Sequence, residues 1–240
     1  MNKVHEGIQG RGERITMADQ AYGDIRQLLI TGAVPPGKRL TLRGLAKVLG
    51  TSPMPVRDAV TRLINDGALR MLPNRSVEVF KPSRCQFREI VTLRCCLEGL
   101  AAKEATGRID AATLKQVAVH VREYERAGHR KKVNTAAVIE SNRWLHFTLY
   151  NASGMSVLVS LIDNIWTRIA PMFALSMSVQ QRTIETWESF GHHQRLLEAL
   201  RLRDAQGAHD AIVADIRDAA DFIERSVWPE DENQQIKVEG

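Results

Sequence analysis

The sequence predicts a mainly α-helical protein, with an N-terminal winged helix-turn-helix followed by an antiparallel α-helical bundle. Two observations support this fold class. In the first third of the chain, short helical segments separated by a glycine precede two strand-like segments. After Pro82, apolar residues recur only at helical spacing. The chain has 240 residues, of which 44% are hydrophobic, so it is long enough to bury the cores of two modest domains.

Three short helices are predicted in the first part. A polar, glycine-containing arm at residues 1–17 leads into a helix from Ala18 to Ile30, and a second helix spans about Leu42 to Leu49. The third helix is predicted to begin at Pro53 with Ser52 as its N-cap, because proline lacks only an N–H that would be unpaired there. Its predicted buried face consists of Val56, Ala59, Val60, Leu63 and Ile64, spaced i, i+3, i+4, i+7 and i+8.

A hairpin is predicted directly after the third helix. Its strands are Leu69–Leu72 and Val77–Phe80, and the residues between them are typical of a turn. This hairpin would form the wing of the helix-turn-helix. The first 82 residues carry thirteen Lys and Arg against seven Asp and Glu, a net charge of +6, whereas the whole chain has a net charge of +5. The basic excess therefore lies entirely in the first part, which favours nucleic-acid binding there.

The second part is predicted to contain long amphipathic helices. They span about 84–106, 110–128, 133–152, 155–175, 183–202 and 204–227, and the glycines and prolines that punctuate them are Gly107, Gly128, Gly154, Pro171 and Pro229. The predicted domains are accordingly 18–82 and 83–228, followed by a charged, disordered tail at 229–240.

Composition also bounds the cellular setting. The uninterrupted apolar runs are shorter than the roughly 20 residues of a membrane span, so no membrane partner is expected. Three cysteines, two of them adjacent and none in a CxxC pair, argue against a disulfide framework and favour a reducing cytoplasm.

Several side chains of the first part are candidates for DNA contact. A helix-turn-helix presents the N-terminal end of its second helix to the base edges of the major groove. The candidates are Ser52, Met54 and Thr61 for base edges, Arg57 and Arg62 for exposed charge, and Arg43 and Arg75 for the DNA backbone. From periodicity alone, these arginines could equally be the solvated face of an ordinary helix.

Three predicted helices of the second part each place an ionisable residue on an apolar face. These residues are His146, His193 and Asp215, and Asn142 lies one helical turn before His146. A buried charged or polar group without a partner costs several kcal/mol, so we expect these side chains to meet. They would form either a divalent metal site or a metal-free cluster in which His146 pairs with Asp215.

The first part contains several short motifs that follow one another closely along the chain. They include Pro36-Gly37-Lys38-Arg39-Leu40, Ser52-Pro53-Met54-Pro55-Val56-Arg57-Asp58-Ala59-Val60 and Leu63-Ile64-Asn65-Asp66-Gly67. With them, Tyr22 to Val79 resembles the DNA-binding domain of the GntR family. The resemblance implies that Arg43, Ser52, Met54 and Arg57 contact DNA. Pro53, Met54 and Ser76 depart from the usual family residues, so the operator preference does not carry over.

The second part, from about 84 to 226, is similar to the all-helical FCD domain of the FadR-like branch of that family. The resemblance is carried by the segments 93–102, 142–154 and 193–200. It implies a divalent metal on Asn142, His146, His193 and Asp215, where Asp215 replaces the usual third histidine. Zn²⁺ is the first expectation, followed by Mn²⁺ or Ni²⁺.

The same resemblance implies a small organic-acid effector beside the metal. Arg94 would anchor its carboxylate, because a guanidinium binds both oxygens. The alternative for Arg94 is an ion pair with Glu98 one turn away. Tyr150, Trp166 and Arg168 are further candidates for the effector site, whereas His192 and His209 are expected at the surface.

The expected function is therefore a homodimeric transcription regulator that binds a pseudo-palindromic operator in double-stranded DNA and responds to the effector. The resemblance also favours repression over activation, because repression is the usual action of the family. A metal-dependent hydrolase is the alternative, because His146, His193 and Asp215 could activate water on a metal. A general base beside them is missing, and a hydrolase has no need of the N-terminal module. A plain helical adaptor would leave the buried ionisable residues unexplained. We therefore expect a regulator and not an enzyme.

Overall fold

A computed structural model describes residues 16–73, 76–128, 135–179 and 188–228, without the side chains of 177–179. Within these ranges the helices are α1 Met17–Ile30, α2 Leu42–Leu49, α3 Pro53–Asn65, α4 Arg84–Arg108, α5 Ala111–Gly128, α6 Thr135–Ala152, α7 Ser156–Val179, α8 Ser189–Leu202 and α9 Ala205–Val227. The strands are β1 Arg39–Leu40, β2 Leu69–Met71 and β3 Val77–Val79. Arg75, the predicted tail 229–240 and all of the predicted arm except residues 16 and 17 lie outside the described ranges.

Helix α1 begins within the predicted arm. Thr16 caps it: its side chain accepts from the backbone N–H of Asp19, while the carboxylate of Asp19 accepts from the Thr16 N–H. This reciprocal capping box satisfies two N–H groups that the helix end would otherwise leave unpaired. Met17 is therefore helical rather than part of the arm, which corrects the predicted start at Ala18.

The wing is a three-stranded antiparallel sheet in the order β1-β3-β2. Leu69 pairs with Val79 and Met71 with Val77, as expected for the predicted hairpin. The sequence did not predict β1, whose two residues pair with Glu78 and Val77 on the other side of β3. A two-residue strand is too short to show a periodicity of its own.

The first part has its own apolar core. Ile25 and Leu29 of α1, Val56 and Leu63 of α3, and Val77 of β3 are almost completely buried in one cluster. The predicted buried face of α3 is confirmed at four of its five positions, and Ile64 is half-buried.

The second part is a helical bundle in which α4 packs along α9, α8 packs on α9, and α5 packs on α6. Helix α4 and helix α9 approach closely at Gly99, where a Cβ atom would lie 2.7 Å from Cδ2 of His209. His209 is consequently half-buried and not the solvated residue that was expected. In the ranges described, no strand follows Phe80.

Helix α7 continues through Pro171, as the predicted helix 155–175 requires, so this proline bounds no helix. Proline removes one helical hydrogen bond, but Pro171 is buried and its neighbours Ala170 and Met172 are fully buried, so packing holds the helix together. By length and mean hydropathy (1.2), Ser156–Ser176 meets the criteria for a membrane span, contrary to the expectation from apolar run lengths. A core helix meets the same criteria, and α7 packs against α4, α6 and α9.

Helix α1 also contacts the bundle. Ile30 shares a buried apolar cluster with Ile139 of α6 and Ala170 of α7. Just after α1, Gly32 has a φ of +71° and lies so close to α7 that a Cβ atom would be 1.9 Å from the Cβ of Ala174. Only glycine fits both the left-handed backbone and this approach.

A polar contact lies beside that apolar one. Arg26 of α1 donates to Asp163 Oδ1 of α7 and, through Nε, to Thr167 Oγ1 at 2.8 Å. Arg143 of α6 donates to the same Asp163 oxygen at 2.7 Å. Burial lowers the pKa of the Arg143 guanidinium, and Arg26 lowers it further, while Asp163 opposes both effects. Two guanidinium groups thus share one carboxylate between the two parts of the chain.

Candidate functional site

The outer face of α3 carries the candidate DNA contacts. Ser52, Met54 and Arg57 are all exposed there, and Met54 is 66% exposed, a high value for an apolar side chain. Arg43 is exposed on the neighbouring α2. The Thr61 hydroxyl donates to the backbone oxygen of Arg57 at 2.9 Å, which leaves its methyl group and its oxygen lone pairs for an outside partner.

The start of α3 differs from the predicted cap. Ser52 occupies the N-cap position, but its side chain makes no capping hydrogen bond. A serine cap bonds the N–H of the second or third helical residue, and the third is Pro55, which has none. Pro53 and Pro55 together remove two of the four N–H groups that a helix start normally offers to a phosphate. Side chains, including the uncommitted Ser52 hydroxyl, must therefore supply most polar contacts at this end.

Arg62 is exposed as expected but is bound within the protein. Its guanidinium donates to Asp19 of α1 at 2.7 Å and lies 4.1 Å from the ring centre of Tyr22. Hydrogen bonds from Thr16 and then from Arg62 lower the pKa of the Asp19 carboxyl to about 2. Arg62 thus ties α3 to α1, which makes it a weaker candidate for DNA contact than Arg57.

In the bundle, α6, α8 and α9 bring three predicted residues together. His146 Nε2 lies 3.4 Å from Asp215 Oδ2, and His193 Nε2 lies 3.6 Å from Asp215 Oδ1. All three side chains are buried, and their nearest ligand atoms lie within 4.8 Å of one another. This spacing suits a shared ion better than direct hydrogen bonds, which require shorter distances.

A chain of hydrogen bonds behind the cluster fixes the orientation of His146. Arg94 donates to Glu98 at 2.6 Å, and the Tyr150 hydroxyl donates to Glu98 Oε2 at 2.6 Å. Burial and the nearby Glu98 carboxylate raise the pKa of Tyr150 well above its usual value, so the hydroxyl keeps its proton. Tyr150 Oη lies 2.8 Å from His146 Nδ1. Because the hydroxyl has one proton and donates it to Glu98, its oxygen must accept a hydrogen bond from Nδ1–H. His146 Nε2 therefore presents a lone pair to the cluster.

Several polar atoms of the cluster have no hydrogen-bond partner in the described chain: His146 Nε2, both ring nitrogens of His193, and Asp215 Oδ1. The buried Oδ1 of Asn142, one helical turn before His146, likewise has no partner among the described residues. Burial alone would raise the pKa of the Asp215 carboxyl, but the imidazoles of His193 and His146 hold it well below its usual range. An ionised carboxylate and lone pairs from imidazole nitrogens are the donors that a divalent cation requires, so these residues fit a metal.

A cavity of ≈ 60 Å³ adjoins this cluster. Of the predicted residues, Arg94, Asn142, Trp166 and Asp215 line it, together with apolar side chains such as Ile139 and Phe173. Trp166 Nε1 is a buried donor without a partner in the described ranges. Arg94 forms the ion pair with Glu98 that was the alternative to effector binding, and it also lines the cavity.

Two predicted effector residues lie elsewhere. Tyr150 is not part of the cavity wall and instead positions His146. Arg168 lies against the first part of the chain, with its guanidinium 4.9 Å from the ring centre of Phe80 and its Nε 3.1 Å from where a Gly67 Cβ would be. On a helix that packs on both parts, sequence spacing could not show which way Arg168 points.

A second cluster of possible metal ligands consists of Glu188, His192 and Asp218. His192 is buried and contacts Asp218 through Nε2 and Arg195 through Nδ1, which corrects the expectation of a surface residue. The arginine supplies a positive charge beside the imidazole, and Glu188 is exposed. The cluster therefore has an internal counter-charge that the first cluster lacks.

An N-terminal winged helix-turn-helix with an exposed second helix, joined to a helical bundle with a buried polar cluster, is typical of a DNA-binding transcription regulator. Residues 17–79 match the bacterial regulatory proteins of the gntR family, and residues 89–218 match the FCD domain. The chain belongs to the GntR family of bacterial transcription regulators, in the group that carries an FCD domain. The predicted family and fold class are confirmed.

Individual relatives agree with this assignment. The chain is 27% identical over 204 residues to the HTH-type transcriptional regulator McbR of Escherichia coli, covering 85% of this chain and 90% of McbR. The solved structure of E. coli McbR/YncC has a TM-score of 0.82 and 25% identity, covering 88% and 99% of the two chains. The HTH-type transcriptional repressor RspR of E. coli is 21% identical and covers 87% and 92%. These relatives are regulators and not enzymes, as expected for this chain.

Proposed function

We propose that the protein represses transcription by occupying a pseudo-palindromic DNA operator, and that a small carboxylate bound in the bundle modulates this occupancy. The DNA-binding domain comprises residues 18–82 and the effector and dimerisation domain residues 83–228. The observation that carries the proposal is the buried cluster of His146, His193 and Asp215 beside a cavity that Asn142 also lines, in a chain that belongs to a family of DNA-binding regulators. The description of RspR as a repressor supports the direction of regulation.

On the DNA side, Ser52, Met54 and Thr61 contact base edges, while Arg43 and Arg57 bind phosphates. Their exposure supports these roles, and the two prolines at the start of α3 give side chains more importance than backbone N–H groups. Arg75, in the wing, is a further phosphate contact expected from the sequence. Arg62 contributes indirectly, by holding α3 against α1.

In the effector domain, Asn142, His146, His193 and Asp215 hold a divalent cation, with Zn²⁺ preferred and Mn²⁺ or Ni²⁺ as alternatives. When bound, the ion supplies a positive centre with a coordination position for a carboxylate oxygen. Arg94 and Trp166 direct donors toward the same cavity, and Ile139, Phe173 and Ile216 receive the aliphatic body of the acid. Apolar walls with a few convergent polar groups are typical of small-molecule sites.

A homodimer follows from the proposed operator, because two half-sites related by a twofold axis require two copies of the recognition helix. Exposed Leu93, Cys96 and Leu100 at i, i+3 and i+7 give α4 an apolar stripe that a second copy can cover. We place the protein in the bacterial cytoplasm, where its DNA is.

The test is fluorescence anisotropy of the purified protein on duplex DNA from upstream of its own gene, over a salt series, with an unrelated duplex as control. Tight binding that prefers the upstream DNA, weakens steeply with salt and is released by an organic acid is the expected result. Equal affinity for both duplexes at every salt concentration, with and without Zn²⁺, would contradict an operator there.

A further inference from the structure

Two residues that line the cavity are also part of the apolar packing around the end of α1. Ile139 of α6 lines the cavity and shares a buried cluster with Ile30 of α1. Phe173 of α7 likewise lines the cavity and packs against that cluster. One wall of the cavity therefore belongs to the same apolar cluster as the last residue of α1.

The shared carboxylate of Asp163 lies beside this wall. Arg143, which binds Asp163, directly follows Asn142 and precedes His146 by three residues on α6. Ile139, Asn142, Arg143 and His146 are spaced i, i+3, i+4 and i+7, so they lie along one side of the helix. Any movement of α6 that brings Asn142 and His146 to a ligand also moves Ile139 and Arg143, which are linked to α1 through the shared apolar cluster and through Asp163.

The size of the cavity favours such movement. A volume of ≈ 60 Å³ holds an ion and a few waters, since one water needs roughly 10–15 Å³. Sites for small organic ligands usually measure about 300–1,000 Å³. An organic acid larger than this space enlarges the cavity when it binds, and Ile139 in its wall belongs to the cluster that holds Ile30.

We propose that Ile139 and Arg143 couple the cavity to the DNA-binding domain. Ile139 acts on Ile30 through the apolar cluster that they share, and Arg143 acts on Arg26 through the carboxylate of Asp163. A cation on Asn142 and His146 fixes α6 and with it the side chains against which α1 packs. An acid that enlarges the cavity displaces those side chains. The inference rests on the proposed function, because it gives the regulatory consequence of a ligand at the proposed site. Coupling of this kind is reciprocal, so DNA also changes the affinity of the cavity for its ligand.

Hydrogen–deuterium exchange of the full chain, with and without Zn²⁺ alone as the probe, tests this coupling. Zn²⁺ is expected to slow amide exchange in α8 and α9 around His193 and Asp215, and also in α1 by about fivefold or more, the lower end of common coupling strengths. Arg26→Gln is expected to reduce the effect on α1 and to leave that on α8 and α9 unchanged. Arg201→Gln, which removes an exposed arginine at the far end of α8, should behave as wild type.

The outcomes separate this inference from the function on which it rests. Slower exchange at α8 and α9 with no change at α1 in wild type would overturn the coupling and leave the metal site intact. No change anywhere would overturn the metal site and the coupling together, while DNA binding in the anisotropy assay would still stand. If Arg26→Gln fails to fold, Asp163→Asn serves as the second variant and should lose the same α1 response.

Discussion

Tyr150 Oη lies 2.8 Å from His146 Nδ1 while donating its own proton to Glu98, so the tyrosine sets the tautomer of the histidine. The lone pair of His146 then faces Asp215 and His193. Ligating histidines commonly depend on an outer partner of this kind. The cluster therefore extends beyond the residues that would touch an ion.

Tyr150→Phe removes the acceptor of the His146 Nδ1–H and is expected to lower Zn²⁺ affinity by about 10–100-fold. Leaving buried polar groups unpaired should also lower the free energy of unfolding by about 1–3 kcal/mol. Calorimetric Zn²⁺ titration and denaturant unfolding measure the two effects. Tyr22→Phe, which removes a hydroxyl bound to Asp66 in the other domain, should leave Zn²⁺ affinity unchanged. Equal Zn²⁺ affinities for Tyr150→Phe and wild type would disprove the role of Tyr150.

His193→Ala is expected to abolish the stabilisation of the protein by Zn²⁺. At a concentration a hundred times its dissociation constant, a ligand adds about 2.7 kcal/mol, which raises the melting temperature of a protein of this size by about 5–10 °C. Thermal unfolding with and without Zn²⁺ measures this rise. His209→Ala should keep it, since His209 packs against Gly99 away from the cluster. A full Zn²⁺ response in His193→Ala would remove His193 from the site.

Arg57 and Arg62 are expected to differ in DNA binding although both lie on the exposed face of α3. Arg57→Ala should weaken binding and reduce the slope of log K against log salt by about 0.9, the value for one lost phosphate contact. Arg62→Ala should leave that slope unchanged, because Arg62 is paired with Asp19. Anisotropy titrations over a salt series compare the variants. A slope that falls as far in Arg62→Ala as in Arg57→Ala would mean that the Asp19 pair breaks on DNA.

Gly32→Ala tests the contact between α1 and α7. A methyl group there would overlap the Cβ of Ala174 and require a positive φ, so we expect a loss of at least about 1–3 kcal/mol. Gly23→Ala is the control, because Gly23 lies inside α1 with no atom within 4 Å of an added Cβ. It should stabilise the protein by up to about 1 kcal/mol through helix propensity. Denaturant unfolding distinguishes them, and equal stabilities would show that the Gly32 approach is looser than described.

Tyr22 is expected to make stability pH-dependent in the alkaline range. Burial and the hydrogen bond to Asp66 raise its pKa from the ordinary value of 10.0 to about 12, so the folded state holds the proton more tightly than the unfolded state. The resulting stabilisation is complete below pH 10 and is lost as the pH rises through 12. Ultraviolet titration of wild type and Tyr22→Phe isolates this tyrosine. A difference spectrum with an ordinary midpoint would contradict the raised pKa.

Local pattern was enough to predict the buried face of α3 and the convergence of His146, His193 and Asp215, because helical spacing alone decides which side a residue occupies. It was not enough for contacts between distant segments. Arg26 meets Asp163 across 137 residues, and Arg168 turns toward Phe80 rather than the cavity. His192 was expected at the surface beside a buried neighbour, yet α8 is covered on both sides, by α5 and by α9, and both histidines are buried.

Pro171 and β1 are two further places where local pattern does not determine the structure. Intrinsic preference favours a break at an internal proline, but buried packing along α7 overrides it. The two residues of β1 become a strand only because β3 offers an unpaired edge. In both places the deciding energy comes from tertiary neighbours that periodicity does not register.

Ile139 lines the cavity and also belongs to the cluster around Ile30, and this restricts how the regulator can evolve. Under the proposed coupling, a substitution there that reshapes the cavity for a new ligand also alters the cluster that holds Ile30, and so changes the response along with the specificity. Val138 and Ile216 line the cavity from outside that shared cluster. Natural diversification toward new effectors should therefore accumulate at positions such as these two, while Ile139 changes only together with its partner on α1.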